Sequence, residues 1–179
     1  MIESCYWRQE LKSDVAWLRQ HATFRRWTEK QMVLFERRLI LTAFQIRVLI
    51  EQKRIRSSIS ARSLQCTWHR KVGSRPVTRL NAHRFDQHFA MEKPETVRLN
   101  AWDLSNQLIH HYEMYALAEF RRFASLALFS DYARNKGLYI ISIPDVLDYF
   151  ALFAKDNSAV SYMRSTWNPK KQDYDVVVE

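Results

Sequence analysis

From Thr28 to Arg54 the chain runs for 27 residues with neither glycine nor proline, and apolar side chains recur throughout the stretch. Thr28-Glu29-Lys30-Gln31 opens it with the residues of a capping box, in which Thr28 accepts a first-turn N–H and Gln31 reaches back. Met32, Phe35, Leu39, Thr42, Ile46 and Leu49 then alternate steps of three and four, the spacing of a helical seam. Val33, Leu34, Ile40, Leu41, Phe44, Val48 and Ile50 flank that seam. They leave a polar arc of about 80°, occupied by Glu29, Glu36, Arg47, Glu51 and Arg54. Such a helix would be ~40 Å long, about the diameter of a compact chain of this size. It is expected to cross the whole molecule as a central core helix covered nearly all round; the alternative is that part of its apolar surface is buried against a second subunit or another protein.

The rest of the chain reads as an α+β fold, in which two N-terminal helices precede a small, mainly antiparallel sheet carrying two or three packed helices. Two glycines and four prolines in 179 residues exclude the frequent tight turns of a many-stranded sandwich or barrel. Trp7, Leu11, Val15, Leu18 and Ala22 mark a first amphipathic helix over about residues 6–24. After a Ser-rich link over 57–63, Leu64, Cys66 and Trp68 alternate with Gln65, Thr67 and His69, a half-buried strand that puts His69 on the outer face. Short strands are predicted near Val77–Leu80 and Thr96–Leu99. A four-residue echo, Arg79-Leu80-Asn81-Ala82 and Arg98-Leu99-Asn100-Ala101, suggests two strand ends that each enter a helical turn capped by Asn.

Leu104, Leu108 and Tyr112 place a helix after the second copy. Met114, Ala116, Ala118 and Phe120 then share one face of a strand, and 123–130 and 138–142 supply two more. The link 131–137, polar and ending in Gly137, joins these last two as a hairpin, so an antiparallel meander is expected. Ser142-Ile143-Pro144-Asp145 begins a helix that packs on the sheet through Val146, Leu147, Phe150, Ala151 and Ala154. Asp173–Val178 has the composition of an edge strand. In outline, residues 1–179 form one domain, with a basic helical segment (1–56), an α+β region (60–156) and a C-terminal tail (157–179).

Charge is distributed unevenly. Residues 1–79 hold 17 Lys/Arg against 6 Asp/Glu, residues 80–179 hold 11 against 13, and the net charge is +9. An anionic partner for the first half, nucleic acid or an acidic protein, is the function class this asymmetry suggests. The cations singled out are Arg19, Arg25, Arg26, Lys30, Lys53, Arg54, Arg56, Arg62, Arg70 and Lys71, with Arg75 and Arg79 continuing the run. No helix-turn-helix glycine, zinc-finger spacing or RNP aromatic motif accompanies them, so recognition would be of backbone or shape.

Signatures of chemistry are sparse. His83 and His88 are five apart and His110 and His111 are adjacent, whereas helical zinc ligands need four-residue steps; no metal and no cofactor is expected. With two glycines the chain lacks phosphate-cradling loops and nucleotide fingerprints. Arg62 and His69, with six residues between them, resemble in spacing the short Arg/His motif of HEPN-type ribonucleases. That resemblance rests on two residues, and the family carries its motif on a helix, whereas His69 lies in a strand pattern. Asp103, Asn106 and His110 share a helical face and are the other catalytic candidates. Cys5 and Cys66 match no disulfide or metal framework, apolar runs such as Leu39–Ile46 fall short of the ~20 residues a bilayer requires, and the N-terminus lacks a signal peptide's regions. A cytoplasmic binding or assembly subunit without enzymatic activity, homo-oligomeric or part of a larger complex, is the leading expectation. A small metal-independent nuclease and a purely structural oligomer are the alternatives.

Overall fold

A computed structural model describes residues 4–24, 27–120, 122–156 and 162–179. Helix α1 (Ser4–Ala22) and the long α2 (Glu29–Glu51) come first, followed by a single turn, α3 (Ser57–Ser60). Next are β1 (Ser63–Arg70), a second short turn α4 (Phe85–His88), β2 (Glu95–Asn100) and α5 (Ala101–Ile109). Strands β3 (His111–Glu119), β4 (Arg122–Ser130) and β5 (Gly137–Ser142) lead into α6 (Ile143–Lys155), and β6 (Met163–Asn168) and β7 (Asp173–Val178) end the chain. The fold is α+β: β1 to β5 make one sheet in the order β2-β1-β5-β4-β3 with every pair antiparallel, and β6 and β7 make a separate two-stranded sheet. The predicted meander is β3-β4-β5.

The two faces of the large sheet carry different covers. On one, α1, α2, α5 and α6 bury Leu11, Leu18, Phe35, Leu39, Ile46, Leu104, Phe150 and Phe153 with Leu126, Leu128 and Ile141 of the sheet. On the other, the irregular segment between β1 and β2 lays Val77, Ala82 and Phe89 against Ala127, Phe129 and Leu138. Gly137 is fixed by this packing: a Cβ there would lie 2.1 Å from the Trp68 ring, so only glycine lets β5 run past that indole.

Local signals act where the sequence places them. Thr28 accepts the Gln31 N–H at 3.3 Å while the Gln31 side chain accepts the Thr28 N–H at 2.9 Å, a complete capping box. Helix α2 stops at Glu51 in a Schellman turn: Arg54 N–H bonds the Leu49 carbonyl, Lys53 N–H bonds that of Ile50, and Lys53 takes the left-handed conformation at φ 53°. Asn100 caps α5 by accepting the Asp103 N–H, and Ser142 caps α6 by accepting that of Asp145, with Pro144 in the first turn.

Six expectations are corrected. His69 is 4 % exposed, not solvated, because the segment before β2 covers the outer face of β1 at its C-terminal end; its Nδ1 lies 3.1 Å from the Ala90 carbonyl oxygen. Residues 77–80 form no strand. Pro76 offers no N–H, Val77 N–H bonds the Asn135 side chain, and Asn81 accepts the Thr78 N–H while donating to the Pro76 carbonyl, closing a local turn and capping no helix. Tyr112 belongs to β3, not to the helix before it, since α5 ends at Ile109 with His110 as its C-cap. Phe120 leaves the strand face for the β3–β4 turn, at φ 49° and 96 % exposed.

The remaining two concern elements left uncovered or moved. Helix α2 is not enclosed: Val33, Leu34, Leu41 and Phe44 are 57 %, 38 %, 45 % and 47 % exposed, because α1, α5, α6 and the sheet occupy only its opposite side. The 173–178 strand joins no edge of the large sheet; it pairs with β6, a partner the sequence reading missed, through a turn in which Asn168 accepts N–H bonds from Lys170 and Lys171. Val178, whose N–H donates to the Ser57 hydroxyl at 3.1 Å, ties that hairpin to α3.

Candidate functional site

Arg8, Arg19, Arg38, Arg47 and Arg56 of the helical layer are held by the protein itself, whereas Lys12, Lys30, Arg37 and Lys53 are exposed. Arg19 joins α1 to α6 through Asp148 at 2.5 Å, and Arg38 lies over the Trp17 ring at 4.5 Å and 3.4 Å from Asp14. Burial raises the Asp14 carboxyl above its ordinary value, partly offset by Arg38 and by a hydrogen bond from Gln45. Arg47 bonds Glu51 at 3.0 Å and the Asn106 side-chain oxygen at 2.5 Å while its guanidinium covers Trp102. Arg56 donates both its backbone N–H and its Nε to the fully buried carboxylate of Asp156, at 2.9 and 2.6 Å. The Arg54 carbonyl accepts from the Arg8 guanidinium, and that of Arg62 accepts the Tyr149 hydroxyl at 2.7 Å. Lys30 is exposed on the first turn of α2. Arg25 and Arg26 lie outside the described residues.

The cover of the other sheet face differs. Between Arg70 and Asp86 it carries Lys71, Arg75, Arg79 and Arg84 without an intervening carboxylate. Arg70 lies 3.4 Å from Glu95, and Lys71 folds its ammonium onto the carbonyls of Val72 and Gly73 at 2.6 and 3.3 Å. Arg79 and Arg134 both rest on the Tyr112 ring, 4.9 and 4.7 Å from its centroid, which brings the two guanidinium groups within about 10 Å of each other. Arg134 is locked by the Val77 carbonyl at 3.3 Å and by Asp131 at 3.1 Å.

Beside them the Lys71 N–H bonds the Lys136 carbonyl, and the Lys136 ammonium sits 3.2 Å from the centre of the exposed Tyr132 ring. Hydrogen bonding from Lys136, and then its charge, hold the Tyr132 phenol below its ordinary pKa. Among the described residues, Arg75, Arg79, Arg84 and Lys136 have no carboxylate within ion-pair distance. The buried supports of this cap are His88, whose Nε2 is 3.2 Å from the Asn81 carbonyl oxygen, and His69 beneath Ala90.

The catalytic candidates separate. Arg62 precedes β1 and His69 is near its other end, ~23 Å away along an extended strand, with His69 enclosed. Asp103, Asn106 and His110 line one open hollow together with Arg47, Gln107, Ser130, Asp131 and Tyr132. Within it Asn106 is taken by Arg47, and Gln107 accepts the Ser130 N–H at 3.2 Å. Among the described residues no group of three or more His, Cys, Asp or Glu side chains is arranged to hold a metal ion, and no helix is long and apolar enough to cross a membrane. Cys66 is buried, which pushes its thiol up to about 11, while Cys5 is exposed. The aromatic support of the basic cap, Tyr112 under two guanidinium groups, was not singled out from sequence; its two partners lie 33 and 22 residues from it and meet it only in the fold.

No family model matches the chain, and neither a curated protein nor a solved structure does.

Proposed function

We propose that the chain is a non-enzymatic binding subunit that grips the phosphate backbone of nucleic acid through the basic cap on the outer sheet face. The observation that carries the reading is the pair Arg79 and Arg134 held on one Tyr112 ring, with Lys71 and Lys136 adjoining. A guanidinium rested on a ring is ordered at low entropic cost, and Arg79, which has no carboxylate partner, suits bidentate contact with phosphate oxygens, while Arg134, already bonded to Val77 and Asp131, holds the other side of the ring. Of the cations of α1 and α2, which first suggested an anionic partner, Arg19, Arg38 and Arg47 are each paired with a carboxylate and contribute long-range potential more than contact.

Recognition through this cap is of charge and shape. Among the described residues the cap's one helical element, α4, is a single turn, too short to lie in a groove as a recognition helix. Fluorescence anisotropy with labelled 20-base-pair DNA or RNA tests the reading across a salt titration. Binding that weakens with a log–log slope of about −0.9 per phosphate contact on B-DNA is expected, and several contacts make it steep. Absence of binding at low salt, or a flat response, overturns the proposal.

A further inference from the structure

The outward side of α2 carries a second seam, opposite the buried one. At 100° per residue, Lys30, Val33, Arg37, Phe44, Val48 and Glu51 fall with Ile40 and Leu41 inside about 100° of arc. Val33, Leu41 and Phe44 are among the largest exposed apolar side chains of the helical layer, and nothing among the described residues covers them. Scattered exposed apolar residues need no account, but a stripe that spans a helix does.

We infer that this stripe is the interface of a two-fold symmetric homodimer in which α2 packs antiparallel against α2 of a second copy. The order of residues along the stripe argues for self-pairing. An axis between Ile40 and Leu41 sets Val33 against Val48 of the second copy, and Arg37 against Phe44, a cation over an aromatic ring. It also sets Lys30 against Glu51, and symmetry makes each of these contacts twice. A parallel arrangement would instead oppose Lys30 to Lys30, Arg37 to Arg37 and Glu51 to Glu51, three like-charge contacts at the seam. The charges therefore make the stripe complementary to a second copy of itself in the antiparallel direction and not in the parallel one.

The stripe is ~32 Å long at 1.5 Å per residue and about 10 Å wide, below the ~800 Å² per partner of a standard interface, so the association is expected to be weak, with Kd near ~10 µM. Because α2 and the basic cap lie on opposite faces of the sheet, such a dimer presents two caps pointing away from each other. The inference does not depend on the phosphate-binding reading.

Sedimentation velocity between ~1 and ~100 µM tests it, spanning both sides of that Kd. Wild type should shift from monomer to dimer over this range, and Leu41→Glu, which places a charge at the centre of the seam, should stay monomeric with an unchanged circular dichroism spectrum. Lys30→Glu and Glu51→Lys should each weaken the dimer at least several-fold, and the double substitution should restore it. A wild type that stays monomeric overturns the proposal and leaves the stripe to a different protein. A dimer indifferent to Leu41→Glu overturns the surface, and failure of the double substitution to restore association overturns the antiparallel register.

Discussion

The two faces of the large sheet solve the same packing problem with different materials. One is covered by α1, α2, α5 and α6, where Arg19 joins α1 to Asp148 of α6 and Arg47 joins α2 to Asn106 of α5, and Arg56, just before α3, binds Asp156 after α6. The other is covered by an irregular segment held through Asn81, Asn135, His69 and His88, and its arginines and lysines are left facing outward with few carboxylates near them. A count of positive charges treats the two alike. Position separates charge that fastens the fold from charge available to a partner.

That distinction fails if substitutions on the two faces have the same consequences. Asp156→Ala should have the largest effect on stability, about 3 kcal/mol by urea denaturation, because it removes two charge-assisted bonds to Arg56 from a fully buried carboxylate. Gly137→Ala should cost about 2 kcal/mol, since the new methyl must displace the Trp68 ring that lies against Gly137. By contrast Arg75→Ala and Arg84→Ala should each leave stability within about 0.5 kcal/mol, as exposed side chains without ion-pair partners.

Two smaller effects sharpen the picture. An excess of thiol reagent at pH 8 should modify Cys5 in the native chain and reach Cys66 only after unfolding, because burial holds the Cys66 thiol up at about 11; rapid modification of both would show that the sheet opens there. Asp14→Asn should be slightly stabilising at neutral pH. The folded state raises the Asp14 pKa above its unfolded value, so the ionised carboxylate costs stability at pH above the folded pKa. The gain from Asn should fade as the pH falls below that range, measured by thermal melts at pH 4 and pH 7.

Much of the architecture was legible because it rests on local chemistry. The capping box at Thr28, the caps at Asn100 and Ser142, and the turn before Gly137 are each read from a few adjacent residues, and each acts as expected. The failures came where distant segments decide. Strict alternation in β1 implies one wet face, which holds at Ser63 and Gln65, but the segment reaching Phe89 covers the far end of that face and encloses His69. Arg79-Leu80-Asn81-Ala82 has the letters of a strand end, yet Pro76 and Asn135 turn it into a loop whose Asn81 serves its own backbone. The apolar excess of α2 correctly implied a buried seam, but could not say that one side would be left bare. At the candidate site the cations Lys71, Arg75 and Arg79 were visible as a run, while Tyr112, Arg134 and Lys136 joined them through sheet pairing that no local pattern encodes.

The central claim is that the outer cap, and not the helical layer, contacts phosphate. Its most direct test compares the salt dependence of DNA binding by two variants: one with Arg75, Arg79, Arg84 and Lys136 all replaced by Ala, the other with Arg19 and Arg38 replaced by Ala. The cap variant should lose affinity and show a log–log slope shallower by about 3, while the helix variant keeps a slope within about 0.5 of wild type. A cap variant that binds with the wild-type slope, or a helix variant whose slope falls by about 0.9 for each arginine removed, would contradict the account.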